Sequence, residues 1–309
     1  MNARNLLNLA LLIIVGLLVA VVVFEPGKEP PPEPVKLTSL DENAVSRIQI
    51  TRKDKDTIEL EKRDGHWQMR APFELPASDY KVESVLKLLQ TESAAQYDMA
   101  RRDPARFGLA PPAVSVRFDD RQIDFGDTEP LQHQRYVRIG QTLHLIPDYY
   151  YYQLAGSSTD YLDHGLFPAE AKITRLELPG LTLQLKDGKW QAQPPAEDYS
   201  ADAFTALFDE WRHARAIELR PLKDAAQAKG KPVRVFLRDR QQPVEYRLQQ
   251  TDDELLLHRA DKQITYVLPA DKADTLLRLQ KKAQTNKSEA TPESEPESEQ
   301  EPKPAPADA

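Results

Sequence analysis

A repeated segment constrains the fold of this chain more than any other feature. Asp64-Gly65-His66-Trp67-Gln68 returns as Asp187-Gly188-Lys189-Trp190-Gln191, and a Pro follows each Trp five positions later. Later in each half, Val114-Ser115-Val116 returns as Val233-Arg234-Val235. Self-similarity of this kind is the signature of a duplicated structural unit. The sequence therefore predicts two tandem copies of one unit, with Gly65, Trp67, Gly188 and Trp190 as its structural markers.

The pattern inside each copy predicts an antiparallel sheet combined with a helix. Alternating apolar and polar residues, as in 47–51 and 173–178, are typical of half-buried strands. Each Asp-Gly pair before a Trp indicates a hairpin, because the turn needs positive φ angles that Gly adopts without a clash. Apolar residues at helical spacing follow in both copies, beginning at Val82 and at Phe204. Further strands and a closing helix make the predicted class α+β.

The N-terminal segment 6–24 predicts a transmembrane signal anchor. Asn8 carries its only polar side chain, and a helix of this length spans about 28 Å, close to the hydrocarbon thickness of a bilayer. A cleaved signal peptide is the alternative, but its apolar region is usually shorter and ends in small residues. Arg4 precedes the span and Glu25 follows it, which predicts a cytoplasmic N-terminus (1–5) and a periplasmic body on a bacterial inner membrane. A cytosolic body is the alternative to that orientation.

The rest of the chain divides by composition. Residues 25–37 are Pro-rich and predict an extended stalk. Residues 38–156 and 170–282 are the two repeats, and 157–169 is the linker between them. Residues 283–309 are rich in Ser, Glu and Pro, which predicts a disordered acidic tail.

Composition also argues against several classes of function. The chain has no Cys, which removes disulfides, thiolate metal sites and Cys nucleophiles together. Its formal net charge of −8 argues against a nucleic-acid partner. The 11 Gly residues form no phosphate-binding loop, and the 6 His residues show no metal-ligand spacing. We therefore expect no catalytic residue, no metal site and no cofactor.

Four consecutive tyrosines form the most unusual local composition: Tyr149, Tyr150, Tyr151 and Tyr152. Four consecutive residues of a helix cannot share one face, so some of these rings must be exposed. An exposed aromatic patch favours contact with a protein or a glycan. The alternative is a terminal helix with two Tyr buried and two reaching solvent.

Two arginines complete the candidate interaction surface. The segment Arg135-Tyr136-Val137-Arg138 is interpreted as a strand with both Arg135 and Arg138 on one face, where they meet an acidic partner. A solvated strand face is the alternative. Trp67 and Trp190 offer two interpretations as well, either an exposed stacking platform for a ligand or core residues packed on the helix of each repeat.

Several motifs occur in a characteristic order along the chain. After the anchor come Thr38-Ser39-Leu40-Asp41, Ile48-Gln49-Ile50-Thr51-Arg52, Asp64-Gly65-His66-Trp67 with Ala71-Pro72, and Arg135-Tyr136-Val137. This order resembles the bacterial domain-of-unknown-function family 4340, over residues 37–279. The resemblance implies an envelope protein held by one helix, in a family without established activity that is often encoded beside ABC-type transport systems of the gliding-motility kind. The second copy departs from the pattern, since it has Pro194-Pro195 and no Arg-Tyr-Val.

Three functions are compared on these grounds. The first is a non-catalytic, membrane-anchored periplasmic interaction module, an accessory subunit of an ABC-type transport system. The second is a protein that binds a cell-wall glycan or peptide through exposed Tyr and Trp residues. The third is an enzyme of unrecognised type, which requires a cleft holding polar side chains of shifted pKa. The lack of a catalytic motif favours the first.

Overall fold

The computed structural model describes residues 11–17, 19, 35–168, 170–195, 199–224, 226 and 228–280. The predicted cytoplasmic N-terminus (1–5), the predicted tail (283–309) and most of the predicted anchor and stalk lie outside these residues. Of the predicted anchor, residues 11–17 and 19 are helical with exposed side chains. Within the described residues, no helix combines the length and the apolar character needed to cross a membrane.

Two Asp-Gly turns organise the beginning of each sheet. The φ angles are 50° at Asp64 and 85° at Gly65, and 51° at Asp187 and 74° at Gly188. Two successive positive φ angles characterise the type I′ turn, whose twist matches that of the flanking strands. The turns join β3 (Ile58–Arg63) to β4 (His66–Ala71) and β13 (Leu181–Lys186) to β14 (Lys189–Gln193).

The first sheet is antiparallel, with the order β5-β4-β3-β2-β8-β9-β10-β11-β7 in the described part of the chain. Its other strands are β2 (Arg47–Arg52), β5 (Leu75–Pro76), β7 (Ala95–Asp98), β8 (Val114–Phe118), β9 (Arg121–Thr128), β10 (Gln134–Ile139) and β11 (Thr142–Pro147). β1 (Val35–Lys36) pairs separately with β6 (Glu92–Ser93). In β8 the alternate residues Val114, Val116 and Phe118 are buried, because a strand turns successive side chains to opposite faces.

The second sheet is also antiparallel, with the order β14-β13-β12-β16-β17-β18-β19-β15. Its other strands are β12 (Ile173–Leu178), β15 (Glu218–Pro221), β16 (Lys231–Leu237), β17 (Val244–Gln250), β18 (Glu254–Arg259) and β19 (Ile264–Pro269). The strands from β4 to β7 in the first sheet are arranged in the same order as the strands from β14 to β15 in the second. Strands β10 and β18 therefore hold the same place in their sheets, and so do β9 and β17.

A few helices cover one face of the sheets: α1 (Asp79–Leu86), α2 (Tyr149–Ala155), α3 (Ala201–His213) and α4 (Lys272–Leu277). Helix α1 begins after Ser78, whose hydroxyl accepts a hydrogen bond from the Lys81 amide, as expected of an N-cap serine. Its apolar residues at helical spacing, Val82 and Val85 among them, are buried. In α3 the buried Trp211 donates from its indole Nε1 to the Leu276 carbonyl of α4, at 2.7 Å.

One buried apolar cluster runs through both sheets. The segment 157–168, which the sequence predicts to be a linker, contributes to it through Tyr161, Leu162, Leu166 and Phe167. Its backbone forms hydrogen bonds with residues on both sides of it in the chain. The Ser78 amide donates to the Tyr161 carbonyl at 2.8 Å, and the Leu166 amide donates to the Ala214 carbonyl at 3.2 Å. The two sheets therefore share a core.

The described chain consists mostly of antiparallel sheet with a few helices, which is the predicted α+β class. The strands predicted at 47–51 and 173–178 are β2 and β12, and the apolar runs beginning at Val82 and Phe204 lie in α1 and α3. The short strands β1, β5, β6, β7 and β15 were not predicted. Segments of two to four residues are too short to display a period of two over several repeats.

Candidate functional site

The tyrosine helix α2 presents two of its four rings to solvent. Tyr149 is 52% and Tyr152 66% exposed, whereas Tyr150 is only 6% exposed and Tyr151 is half-buried against the core. The Tyr150 hydroxyl accepts a hydrogen bond from the Thr91 hydroxyl, which ties the buried side of α2 to the end of the 3-10 turn after α1. The helix thus displays exposed aromatic area from a fixed backbone.

The rings of α2 also pack on one another. The centroids of Tyr149 and Tyr150 lie 4.2 Å apart, and those of Tyr151 and Tyr152 5.6 Å apart in an edge-to-face arrangement. Partial burial, together with the hydrogen bond to Tyr150, raises the pKa of Tyr149 to about 12. Tyr149 is therefore uncharged at neutral pH and offers an aromatic face with a hydroxyl at its rim, the composition favoured at protein interfaces.

Arg135 supports this helix from inside the fold. Its Nε donates to Asp148 Oδ1 at 2.6 Å and its Nη1 to the Gly126 carbonyl at 2.7 Å. Its guanidinium carbon lies 3.8 Å from the centroid of the Tyr151 ring. With 7% of its surface exposed, Arg135 has little area left for an external partner. The interpretation of Arg135 as an exposed contact residue is wrong, because Asp148 and Tyr151 already occupy its guanidinium.

Arg138 lies on the opposite face of β10, so the expectation that both Arg share a face is also wrong. Side chains alternate along a strand, and residues three apart therefore point to opposite sides. Arg138 Nη2 donates to Asp124 Oδ2 at 2.7 Å, and the Ser115 hydroxyl and Gln122 amide donate to Asp124 Oδ1. Burial alone would raise the pKa of the Asp124 carboxyl, but the hydrogen bonds from Arg138, Gln122 and Ser115 outweigh it and hold this pKa below its ordinary value.

Both tryptophans of the Asp-Gly turns are packed in the fold. Trp67 is 4% exposed. Trp190 is half-buried and stacks on Phe208 of α3, with ring centroids 3.6 Å apart. The core interpretation therefore describes both residues, because Trp67 is buried and Phe208 covers one face of the Trp190 indole. Gly65 and Gly188 lie in the turns as predicted.

The protein family described as Domain of unknown function (DUF4340) matches residues 67–250, more than half of the chain. The chain belongs to the DUF4340 family. The match begins at Trp67 in β4 and ends at Gln250 in β17, so it spans parts of both sheets and includes the tyrosine helix. No curated protein and no solved structure matches the chain.

The DUF4340 chain also has a cleft of about 490 Å³ where its two sheets meet. Lys262 Nζ lies 3.2 Å from Glu74 Oε2 across it, and the buried Arg259 donates to both carboxylate oxygens of Asp261, each at 3.1 Å. These charged groups pair with one another, so we interpret the cleft as part of the interface between the two sheets. Sequence reasoning missed it, because Glu74 and Lys262 are separated by 188 positions and belong to no common motif.

The described part of the DUF4340 chain contains no group of three or more His, Asp or Glu side chains arranged to hold a metal ion. Two buried histidines were not singled out by their sequence context. His144 and His258 are 5% and 7% exposed, and burial lowers the pKa of each imidazole below its ordinary value. Their apolar neighbours on β11 and β18 were the available signal, since a His inside a hydrophobic run is commonly buried.

Proposed function

We propose that this protein is a non-catalytic, membrane-anchored interaction module of the bacterial envelope, with a periplasmic body and an accessory role in an ABC-type transport system. The observation that carries the proposal is the exposure of Tyr149 and Tyr152, at 52% and 66%, on a helix fixed by its buried side. Tyr is among the residues that dominate binding energy at protein interfaces. Because α2 is held by Arg135 and Thr91, its two outer rings lose little conformational freedom when a partner covers them.

The partner surface that fits this helix is uncharged and apolar, with hydrogen-bond groups at its edge. Tyr149 and Tyr152 supply ring faces and two hydroxyls. Leu131, with 87% of its surface exposed, is another exposed apolar side chain, in the loop between β9 and β10. A membrane-protein subunit of the envelope offers such a surface outside the bilayer. Arg138, whose guanidinium is bound to Asp124, is a weaker contributor.

Co-purification from native membranes tests this proposal. The full chain carries a C-terminal tag, and the wild type is compared with a Tyr149→Ser/Tyr152→Ser double variant. We expect a stoichiometric membrane-protein partner with the wild type and its loss with the double variant. Tyr80→Ser is the matched control, because Tyr80 is 82% exposed on helix α1. Recovery of the wild type alone, or equal recovery of a partner with both variants, contradicts the proposal.

Binding to a cell-wall glycan through the same rings is the competing outcome of that experiment. Aromatic faces stack on sugars as well as on protein side chains, but Trp67 and Trp190 do not extend the exposed surface. If the wild type purifies alone and sediments with purified peptidoglycan, and if the double variant does not sediment, the glycan function replaces the accessory one.

The anchor and the orientation belong to the same proposal. We infer that residues 6–24 form a single membrane-spanning helix and that 38–282 lies in the periplasm, on the basis of the apolar run and the positive-inside bias. Protease added to spheroplasts tests this directly. Digestion of the body without lysis is expected, and protection of the body until lysis would place it in the cytoplasm.

We further propose that residues 38–156 and 170–282 descend from one duplicated unit. The repeated Asp-Gly-x-Trp segment and the common strand succession of the two sheets support it. Related chains in which the two Asp-Gly-x-Trp segments occur in strands of different sheet position would contradict this inference.

A further inference from the structure

His258 is buried on the outer face of the second sheet with half of its hydrogen-bonding capacity unused. It is 7% exposed, and its Nδ1 lies 2.8 Å from the Thr265 hydroxyl on the neighbouring strand β19. Its Nε2 is buried and has no partner among the described residues. A buried polar atom without a partner costs free energy, so such an atom in a native fold calls for an explanation.

The residue opposite His258 makes no hydrogen bond to it. On the adjacent strand β17 the directly paired residue is Arg247, which offers only donors. Arg247 is exposed and has no hydrogen-bond or ion-pair partner in the described part of the chain. In the first sheet the corresponding strands β10 and β9 pair Arg138 with Asp124, and that cation meets a carboxylate at 2.7 Å. In the second sheet the opposed pair Arg247 and His258 contains no carboxylate.

These two residues line a cavity of about 830 Å³ on that face, together with Arg234, Gln242, Glu245 and Asp261. The acids of the cavity already have partners within the chain. Arg234 lies 3.3 Å from Glu245, and Asp261 accepts from Arg259 at 3.1 Å. Within the part of the chain that the structure describes, no hydrogen bond engages the Arg247 guanidinium, the Gln242 side-chain amide or His258 Nε2, and the first two offer N–H donors. The volume lies within the range of small-molecule sites.

We propose that this cavity binds the anionic group of a small molecule, a phosphate or a carboxylate, between Arg247 and His258. In this proposal the Thr265 hydroxyl is the donor to Nδ1. Neutral His258 then carries its proton on Nε2 and donates a hydrogen bond from it to an anion oxygen without acquiring charge. Arg247 supplies the charge and a planar pair of donors. The site does not include the tyrosine helix. The experiment on anion binding therefore tests this site separately from the proposed accessory function.

Calorimetric titration of the full-length protein in a non-ionic detergent tests the site, with inorganic phosphate as one probe and citrate as the other, in a buffer free of both anions. We expect saturable binding of at least one probe, and the preferred probe assigns phosphate or carboxylate chemistry. Arg247→Gln should weaken binding about tenfold or more, since a charge-assisted hydrogen bond is lost. His258→Phe should weaken it as well.

Arg121→Gln is the matched control, because Arg121 is an exposed arginine of β9 without a partner in the described residues. It makes the same change of charge and should leave the affinity unchanged. Arg247→Gln is expected to fold normally, since it removes no contact within the described chain. Absence of saturable binding by the wild type, or equal weakening by Arg247→Gln and Arg121→Gln, would overturn the proposal.

Discussion

The guanidinium carbon of Arg135 lies 3.8 Å from the centroid of the Tyr151 ring. The same guanidinium donates to Asp148, the residue immediately before α2. A single side chain of β10 therefore holds both the start of the tyrosine helix and one of its rings. This contact determines which tyrosines face solvent, because Tyr151 held inward leaves Tyr149 and Tyr152 on the outer side.

Replacing Arg135 should destabilise the fold and loosen the attachment of the tyrosine helix. Arg135→Leu leaves the Asp148 carboxylate without its donor, and we expect the free energy of unfolding to fall by about 2 kcal/mol. Arg135→Lys keeps the charge but loses the stacking on the Tyr151 ring, so the decrease in the free energy of unfolding should be smaller. Urea unfolding measures both. Tyr152→Ser, on the exposed side of α2, should change stability by less than about 0.5 kcal/mol, and an equal loss in all three variants would contradict this role.

The two repeated tryptophans should differ in their contribution to stability. Trp67 is 4% exposed, so Trp67→Ala should cost about 3 to 5 kcal/mol through lost burial and a cavity. Trp190 is half-buried, and Trp190→Ala should cost less, about 2 kcal/mol. Trp190→Phe should recover most of that loss, because a phenyl ring can still stack on Phe208. Urea unfolding followed by circular dichroism gives these values, and equal costs at both positions would contradict the difference in burial.

The two sheets should unfold in one transition, because they share one buried cluster. In the wild type, tryptophan fluorescence and far-UV circular dichroism should give coincident urea midpoints. Leu166→Ala, at 2% exposure in the connecting segment, should shift both midpoints by removing about 2 to 4 kcal/mol. Leu131→Ala, on the surface, is the control. Two separate midpoints in the wild-type background would show that the sheets are independent domains.

Stability should decrease as pH falls from about 7.5 to about 5.5. Burial lowers the pKa of His144, and its Nδ1 has no partner in the described residues. The unfolded chain takes up a proton near the ordinary imidazole pKa, whereas the folded chain resists it to lower pH. The folded state is therefore favoured above the unfolded pKa and loses that advantage below it.

His144→Leu should remove part of this pH dependence, because the buried imidazole is gone. His213→Gln, at an exposed position of α3, should leave it largely intact. Urea unfolding of the wild type and both variants at the two pH values provides the comparison. A His144→Leu slope equal to that of the wild type would contradict the assignment.

Local rules explain why much of the architecture could be read from the residues. Asp64-Gly65 specifies a turn because Gly tolerates positive φ, and Ser78 specifies the start of α1 because its hydroxyl accepts a free amide of the first turn. The longer strands and the helices follow from periods of two and of 3.6 residues, which need no knowledge of distant contacts. The sequence by itself therefore determined the hairpins, the helices and the α+β class.

The faces and partners of individual side chains were decided only by the tertiary structure. Arg135 and Arg138 belong to one short motif, yet one is buried against Tyr151 and the other bonds Asp124 on the opposite face. His258 and Arg247 likewise become opposite residues only when β17 and β18 pair in their register. Burial and hydrogen bonding depend on which strands become neighbours, and that choice is made by packing of the whole core, a property that no local window of sequence contains.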